Sequence, residues 1–216
     1  MNFSPDIEGG IMKVKYLSLM ALIVLGVSPL LLSCPGTTKV KVDYSPTTAK
    51  ENLLASIPPV KVKLLNIADR REGKGLTLVG HREAAFGVSM GDVYSERPVF
   101  EIIQKAIQSE FVSRGHTIVT EKEDFIIKGE IRNFWVKTDT TALYWDVIGE
   151  VSIVLEVIEP GAASGLVLGP YSARKVERTY VNPSEAIMNR LLGASLNSAI
   201  QEMSSDPKLI AELKKK

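Results

Sequence analysis

The stretch that decides the fold is TALYWDVIGEVSIVLEVI, residues 141–158. A large apolar residue or a glycine stands at every odd position from Leu143 to Val157, and most even positions carry polar or charged side chains. A two-residue period of this length predicts a β-strand with one buried face and one wetter face, as in an antiparallel sheet.

Further strands are predicted on both sides of this stretch. They are residues 39–44, 60–67, 117–119, 124–137 and 166–180. The segment 76–91 has no clean period, and only a strand around residues 76–79 is predicted in it.

Two long helices are predicted from apolar residues at 3.6-residue spacing. The first spans residues 98–114 with Ser95 as its cap, and the second runs from the cap Asn182 to Met203. Asp206 caps a short third helix. The order of elements predicts an α+β fold with an antiparallel β-sheet of about four to five strands and two long helices packed on one face.

The first 34 residues have the layout of an export signal. Lys13 and Lys15 precede a 17-residue apolar run, residues 16–32, which is short for a membrane span of about 20 residues. The run ends in Leu31-Leu32-Ser33-Cys34, which resembles the bacterial lipobox, whose cysteine is acylated. Residues 1–33 are therefore interpreted as a lipoprotein signal peptide, and Met12 could be the true start.

The predicted domain organisation follows from this signal. Residues 34–38 are the lipidated Cys34 with a tether, and residues 39–216 form a single α+β domain. The acyl lipid on Cys34 is the one attached group expected, with no cofactor. Pro35 follows the cysteine where an inner-membrane lipoprotein often carries Asp, so an outer-membrane lipoprotein that faces the periplasm is predicted.

Composition argues against several functional classes. The 26 Lys and Arg balance 25 Asp and Glu, so nothing indicates nucleic-acid binding. Two histidines and one cysteine are too few for a Cys/His metal cluster, and His81 and His116 are interpreted as solvated surface residues. Neither a G-x-S-x-G motif nor a P-loop is present, so no enzymatic activity is predicted.

A cluster of positive charge is one candidate contact surface. It lies between the second predicted strand and the first long helix and comprises Arg70, Arg71, Lys74, His81 and Arg82. Residues 69–75 are predicted to form an exposed loop. The cluster could bind an anionic sugar, a lipid headgroup or an acidic partner, or it could be a charged loop that Asp69 and Glu72 neutralise.

Aromatic residues around a predicted turn are the second candidate surface. Phe134, Trp135, Tyr144 and Trp145 could form a cluster across two strands. Trp145 has the parity of the buried face and is assigned to the core. Trp135 and Tyr144 could be exposed, and exposed aromatic residues are enriched at interfaces.

The chain resembles the YajG-type family of bacterial lipoproteins. The resemblance is carried by the lipobox, by Ser45-Pro46 after the first strand, and by the strand Val60–Ile67 leading to Asp69-Arg70-Arg71. It also includes the helix that closes on Ser113-Arg114-Gly115 and the helix Asn189–Met203 followed by Ser204-Ser205-Asp206. The resemblance implies an outer-membrane location and a fold, and it offers no catalytic residues; residues 68–97 depart from the shorter members.

Two functional hypotheses follow. The first is a membrane-anchored accessory or binding subunit, without catalytic activity, of a cell-envelope assembly or transport system, with an envelope protein as partner. The second is a carrier or sensor that binds a lipid or glycan ligand between the sheet and the helices.

Overall fold

The computed structural model describes residues 36–46, 52–72 and 75–216, which belong to one compact unit. Within these ranges the chain forms eight strands and three α-helices. They are β1 (Thr38–Val40), β2 (Lys61–Asp69), β3 (Leu78–Glu83), β4 (Ser89–Ser95), α1 (Val99–Ser113), β5 (Thr117–Ile118), β6 (Phe125–Thr140), β7 (Trp145–Ile158), β8 (Leu166–Thr179), α2 (Glu185–Ser204) and α3 (Pro207–Leu213).

The eight strands form one mixed sheet that is organised around β6. Along one edge of β6 the strands β2 and β3 pair in parallel, β2 with the first half and β3 with the second half. Along its other edge β6 pairs antiparallel with β7, which in turn pairs with β8. The remaining strands extend the sheet beyond β3 and β2, in the order β1-β4-β3-β6-β2-β5.

This topology shows that the predicted antiparallel sheet of four to five strands is wrong. Four strand pairs are parallel, namely β1 with β4, β2 with β5, β2 with β6, and β3 with β6. The prediction failed because an alternating pattern reports burial and not the direction of the neighbouring strand. It also failed because β3 and β4 lie in residues 76–97, where short strands and glycines hide the period.

The strand β7 has the predicted buried face. The odd positions from Val147 to Val157 are buried, and Ser195 of α2 donates a hydrogen bond to the Gly149 carbonyl at 2.8 Å. A Cβ atom at Gly149 would lie 2.8 Å from the backbone carbon of Leu191, so this glycine allows α2 to approach the sheet closely. The strand begins at Trp145, later than predicted, because Thr141 and Tyr144 close a turn through a 2.9 Å backbone hydrogen bond.

The helix caps differ in part from those predicted. Ser184 caps α2 by accepting a hydrogen bond from the Ile187 amide, so the predicted cap Asn182 lies outside the helix start. At the start of α1 the cap position is Pro98, and the predicted cap Ser95 instead donates to the Arg97 carbonyl. Asp206 caps α3 as predicted, accepting from the Lys208 amide at 2.8 Å.

A buried polar cluster ties the N-terminal segment to the helices. The Glu110 carboxylate of α1, 1% exposed, accepts hydrogen bonds from the Tyr44 hydroxyl at 2.6 Å, from Asn52 Nδ2 at 2.7 Å and from Arg114 Nε at 2.9 Å. Asn52 also donates to the Ser204 hydroxyl at the end of α2. Burial next to this carboxylate raises the pKa of Tyr44 far above its usual value. The cluster is fully hydrogen-bonded, so it has a structural role.

Candidate functional site

A groove of about 780 Å³ lies on the sheet face opposite the helices. The strands β2, β6, β7 and β8 all contribute to it. Its lining includes the apolar residues Leu65, Val154 and Val167, which we call its floor, and the charged residues Arg70, Lys128, Glu130, Arg132 and Glu156. Within the described chain both long helices pack on the other face, against the core that contains Val151 and Leu155. The groove is therefore open to solvent.

Three irregularities in strand pairing occur at the level of the groove. In β2 one extra residue lies between Leu64 and Ile67, and in β6 Arg132 is the extra residue between the paired positions 131 and 133. In β8 the register shifts between Leu168 and Tyr171. Such bulges bend a strand and increase its local twist, and they are frequent next to functional sites. All three coincide here with the groove.

The charges in the groove are mixed and weakly paired. Arg70 lies 3.9 Å from Glu130, and Lys128 lies 3.9 Å from Glu156. Ion pairs between exposed side chains at this distance contribute little to stability. Arg132 also lines the groove. An apolar floor with charges of both signs suits a protein segment of mixed composition better than a strongly anionic ligand.

The predicted positive cluster does not form one surface. Arg70 lies at the groove, whereas Arg82 lies on β3, where its guanidinium donates to the carbonyls of Gly36 and Met90. His81 is partly exposed and hydrogen-bonds Asp92 at 2.8 Å. Lys74 and Cys34 lie outside the described residues.

Arg71 corrects the prediction of a loop exposed throughout residues 69–75. Its side chain is 0% exposed and forms a bidentate pair with Asp69, at 2.9 and 2.7 Å. It also donates to the carbonyls of Leu78 and Phe134, at 2.7 and 3.3 Å. These bonds fill the interval between the end of β2 and the start of β3 along β6. Arg71 therefore stabilises the sheet.

The four aromatic residues do not meet in one cluster. Phe134 is buried in the core, and Trp135 pairs across the strands with Glu150, far along β6 from the turn. Tyr144 lies in the turn, under the Arg178 guanidinium at 3.7 Å and beside the Tyr180 ring at 6.4 Å.

Trp145 is only partly buried, so its assignment to the core is wrong. It is the first residue of β7, and its indole Nε1 is buried without a hydrogen-bond partner. Burial is incomplete here because the residue lies at the end of the sheet, next to the turn that contains Tyr144.

His116 is buried, contrary to the prediction of a solvated histidine. Its Nδ1 accepts from the Val60 amide at 3.2 Å, and its Nε2 lies 3.0 Å from the Leu54 carbonyl. Desolvation lowers the pKa of His116, partly opposed by the Leu54 hydrogen bond. The neutral ring joins the chain before β2 to the chain after α1. Across the described ranges, no group of three or more His, Cys, Asp or Glu side chains is placed to hold a metal ion.

Sequence reasoning missed the groove apart from Arg70. A signal was nevertheless present in β7, where Ile148, Val154 and Ile158 are apolar at even positions and break the alternation. All three side chains are buried although they lie outside the main core cluster. Apolar residues on the outward face of a strand indicate a second covered or contact surface.

None of the helices formed by the described residues has the length and hydrophobicity that a membrane crossing requires. This finding concerns the described ranges alone, which exclude the apolar run of residues 16–32.

Solved structures resemble this fold at low sequence identity. The likeness to a Xanthomonas campestris protein of the DUF330 family has a TM-score of 0.54 at 9% identity, over 82% of this chain and 97% of that chain. A hypothetical protein from Chlamydia trachomatis has a TM-score of 0.44 at 8% identity, over 68% of this chain and 96% of that chain. A lipoprotein from Neisseria meningitidis has a TM-score of 0.27 at 13% identity, over 68% of this chain and 100% of that chain. The first likeness shows a shared fold.

The sequence comparisons identify a family. No match is found among curated protein sequences. The profile of the Lipoprotein_16 family, described as uncharacterized lipoprotein, matches residues 65–214. The match confirms the resemblance at the level of a bacterial lipoprotein family. Membership of such a family indicates a cell-envelope location and gives no sign of catalytic activity. The YajG type stays a prediction. The chain belongs to the Lipoprotein_16 family of uncharacterized lipoproteins.

Proposed function

We propose that this chain is a YajG-type outer-membrane lipoprotein that faces the periplasm and binds an envelope protein through the groove on its open sheet face. In this role it is an accessory subunit of an envelope assembly or transport system, without catalysis and without a metal or cofactor. Acyl chains on Cys34 hold it at the membrane. A single chain binds a bilayer only marginally, so the several chains of a lipoprotein cysteine are needed for stable anchoring.

The open groove carries the proposal. It combines an apolar floor, which includes Val154 and the exposed Val167, with Arg70, Lys128 and Glu130 around it. Protein interfaces have an apolar centre and a polar rim of this kind. The flanking charges make only long ion pairs within the chain, so a partner can replace those pairs at small cost.

The alternative function, a ligand carried between sheet and helices, has less support. That layer is filled by side chains with almost no solvent exposure, among them Phe111, Phe134, Leu155 and Leu192. A ligand there would have to displace packed core, whereas the groove on the other face is already open.

Site-specific photo-crosslinking in intact cells tests the proposal. A photoreactive amino acid replaces Val167 or Arg70 in the groove, and the matched control replaces Val112, which is exposed at the end of α1. We expect one discrete protein adduct from the groove positions and none from the control position. The double variant Arg70→Glu/Lys128→Glu should weaken the adduct, and the distant Lys105→Glu should leave it unchanged.

Other outcomes decide against the proposal. Adducts of equal intensity from groove and control positions would overturn the groove as the binding surface. A lipid or glycan adduct in place of a protein adduct would favour the carrier function.

A further inference from the structure

Three segments meet at one end of the sheet. The last residue of β3 is joined to the end of β6, just before the turn to β7, because the Glu83 carbonyl accepts hydrogen bonds from the hydroxyls of Thr138 and Thr140. The chain that follows β8 lies at the same level, because Thr179 is the cross-strand partner of Trp145. We call this region the tether end, defined by Phe86, Val88, Leu143, Tyr180 and Val181.

The tether end concentrates exposed apolar side chains. Among the described residues, six large apolar side chains are 60% or more exposed, and five of them are those that define the tether end. The sixth is Val167, at the opposite end of the sheet beside residues 155–157 of β7. Phe86 is fully exposed at the tip of its hairpin, with φ of 64°, a conformation that is rare for a bulky side chain. Exposed apolar side chains concentrated at one end of a domain indicate a contact surface.

The chain that leads to Cys34 enters the domain at this same end. The Arg82 guanidinium donates to the Gly36 carbonyl at 2.8 Å. Gly91, with φ of 105°, lies so close that a Cβ atom on it would be 2.3 Å from the Gly36 oxygen. Cys34 precedes Gly36 by two residues, and an extended chain spans about 3.5 Å per residue. Two residues of chain therefore reach no farther than about 7 Å from Gly36.

The rim of the tether end has the composition of a membrane interface. Tyr144 and Tyr180 pack edge to face at 6.4 Å, and the Arg178 guanidinium lies over the Tyr144 ring. Tyrosine rings are enriched at the level of lipid headgroups because one end is apolar and the other polar. Glu83 lies on β3 and Asp139 on β6, outside the turns, and Asp146 is paired with Arg178 at 2.8 Å.

We propose that the tether end lies against the bilayer that holds the acyl chains of Cys34, with Phe86 and Leu143 inserted among the lipids. This inference rests on the proposed anchoring through Cys34. The tether selects a lipid surface as the occupant, because only two residues of sequence separate the proposed acylated cysteine from Gly36, which lies against Arg82 and Gly91 of the β3–β4 hairpin. Tethering also raises the effective concentration of lipid at the patch, so weak insertion by two or three side chains is sufficient.

The proposed orientation presents the groove to the periplasm. Glu130 in the groove and Thr140 at the tether end are ten residues apart on β6. At about 3.3 Å per residue these two positions are roughly 30 Å apart along the strand, so the groove lies well away from the tether end.

Spin labels on the full lipidated chain in vesicles of phosphatidylethanolamine and phosphatidylglycerol test this surface. Cys34 is the one cysteine of the sequence, so single substitutions Phe86→Cys and Leu143→Cys give specific labelling once Cys34 carries lipid. Val112→Cys and Val167→Cys are matched controls, exposed and apolar but away from the tether end. The measurement is the collision rate of each label with oxygen, which concentrates in lipid, and with a water-soluble nickel chelate.

We expect collisions with the nickel chelate to fall several-fold at positions 86 and 143 and to stay unchanged at positions 112 and 167. If the protein binds the vesicles but the label at position 86 is as accessible to nickel as the control labels, the proposed contact of the tether end with the membrane is wrong. The proposed anchoring through Cys34 would not be affected by that result. Dipolar broadening between labels at position 86 would show that a second copy covers the patch, and would also overturn it. Release of the wild-type chain from the vesicles would contradict the proposed anchoring through Cys34, and the proposed membrane contact of the tether end with it.

Discussion

The Arg71 guanidinium donates a hydrogen bond to the backbone carbonyl of Phe134 in the interval along β6 that neither β2 nor β3 covers. Two parallel strands therefore follow one another along a single edge of β6, and a buried side chain replaces the backbone hydrogen bonds missing between them. A buried polar group requires such a partner, since an unpaired carbonyl costs about 1–3 kcal/mol.

The first prediction concerns Arg71 and its neighbour. Arg71→Met should lower the free energy of unfolding by about 3–5 kcal/mol, because the Asp69 carboxylate and the Leu78 and Phe134 carbonyls lose the guanidinium in a buried site. Arg70→Met should change it by less than about 1 kcal/mol, since Arg70 is exposed and its ion pair is long. Urea unfolding of both variants provides the measurement, and equal midpoints would contradict the role assigned to Arg71.

The second prediction concerns the buried carboxylate of Glu110. Glu110→Ala should destabilise the domain by about 3–5 kcal/mol, because it leaves Arg114, Asn52 and Tyr44 without their shared acceptor. The matched control is Glu101→Ala, on the exposed side of the same helix. Thermal unfolding compares the two, and a loss no larger than that of the control would show that the cluster does not stabilise the fold.

The third prediction is a pH dependence that arises from His116. Its pKa in the folded state is lowered by burial, so below its usual value of 6.5 the unfolded chain binds the proton more readily than the folded chain. The stability that His116 contributes is therefore present above about pH 6.5 and is lost as the pH falls. Melting temperatures measured from pH 7.5 to 5 should fall less steeply in His116→Gln than in the wild type, and parallel curves would exclude His116 as the cause.

The fourth prediction separates the two faces of β7. Val151→Asp places a charge in the core and should cost several kcal/mol. Glu150→Lys, on the open face, breaks partly exposed contacts with Arg174 and Asn133 and should cost about 1 kcal/mol or less. Similar melting temperatures would mean that the buried face is assigned incorrectly.

The fifth prediction concerns lipidation of Cys34, which lies outside the described residues. The mature protein should begin at Cys34 and incorporate radioactive palmitate, because the apolar run before it ends in a lipobox. Cys34→Ser should lose the label, since a hydroxyl cannot form the thioether. Label retained in this variant, or a mature mass that includes residues 12–33, would refute the lipobox interpretation.

Sequence periodicity predicted the elements that are long and amphipathic. The alternation along β7 and the apolar stripes of α1 and α2 each depend on neighbours within one segment, so they are visible without knowledge of the fold. The directions of β2 and β3 relative to β6 depend on contacts between distant segments, and the pattern carries no information on them. The same limit applies to Arg71, because a buried and an exposed arginine look alike in a loop sequence.

The attachment of β3 to β6 has a mechanical consequence. The Arg82 guanidinium of the β3–β4 hairpin donates to the Gly36 carbonyl, and Gly91 lies close to it. The strand β3 pairs with β6 at Gly80 and His81, and Glu83 adds hydrogen bonds with Thr138 and Thr140. A force that pulls a partner in the groove away from the proposed membrane anchor acts along β3 and β6. It therefore shears the hydrogen bonds between these two strands, and all of them resist the force together. Arg71, with its salt bridge to Asp69 and its hydrogen bonds to the Leu78 and Phe134 carbonyls, lies where β3 begins to pair with β6. The force passes from β3 to β6 next to these contacts.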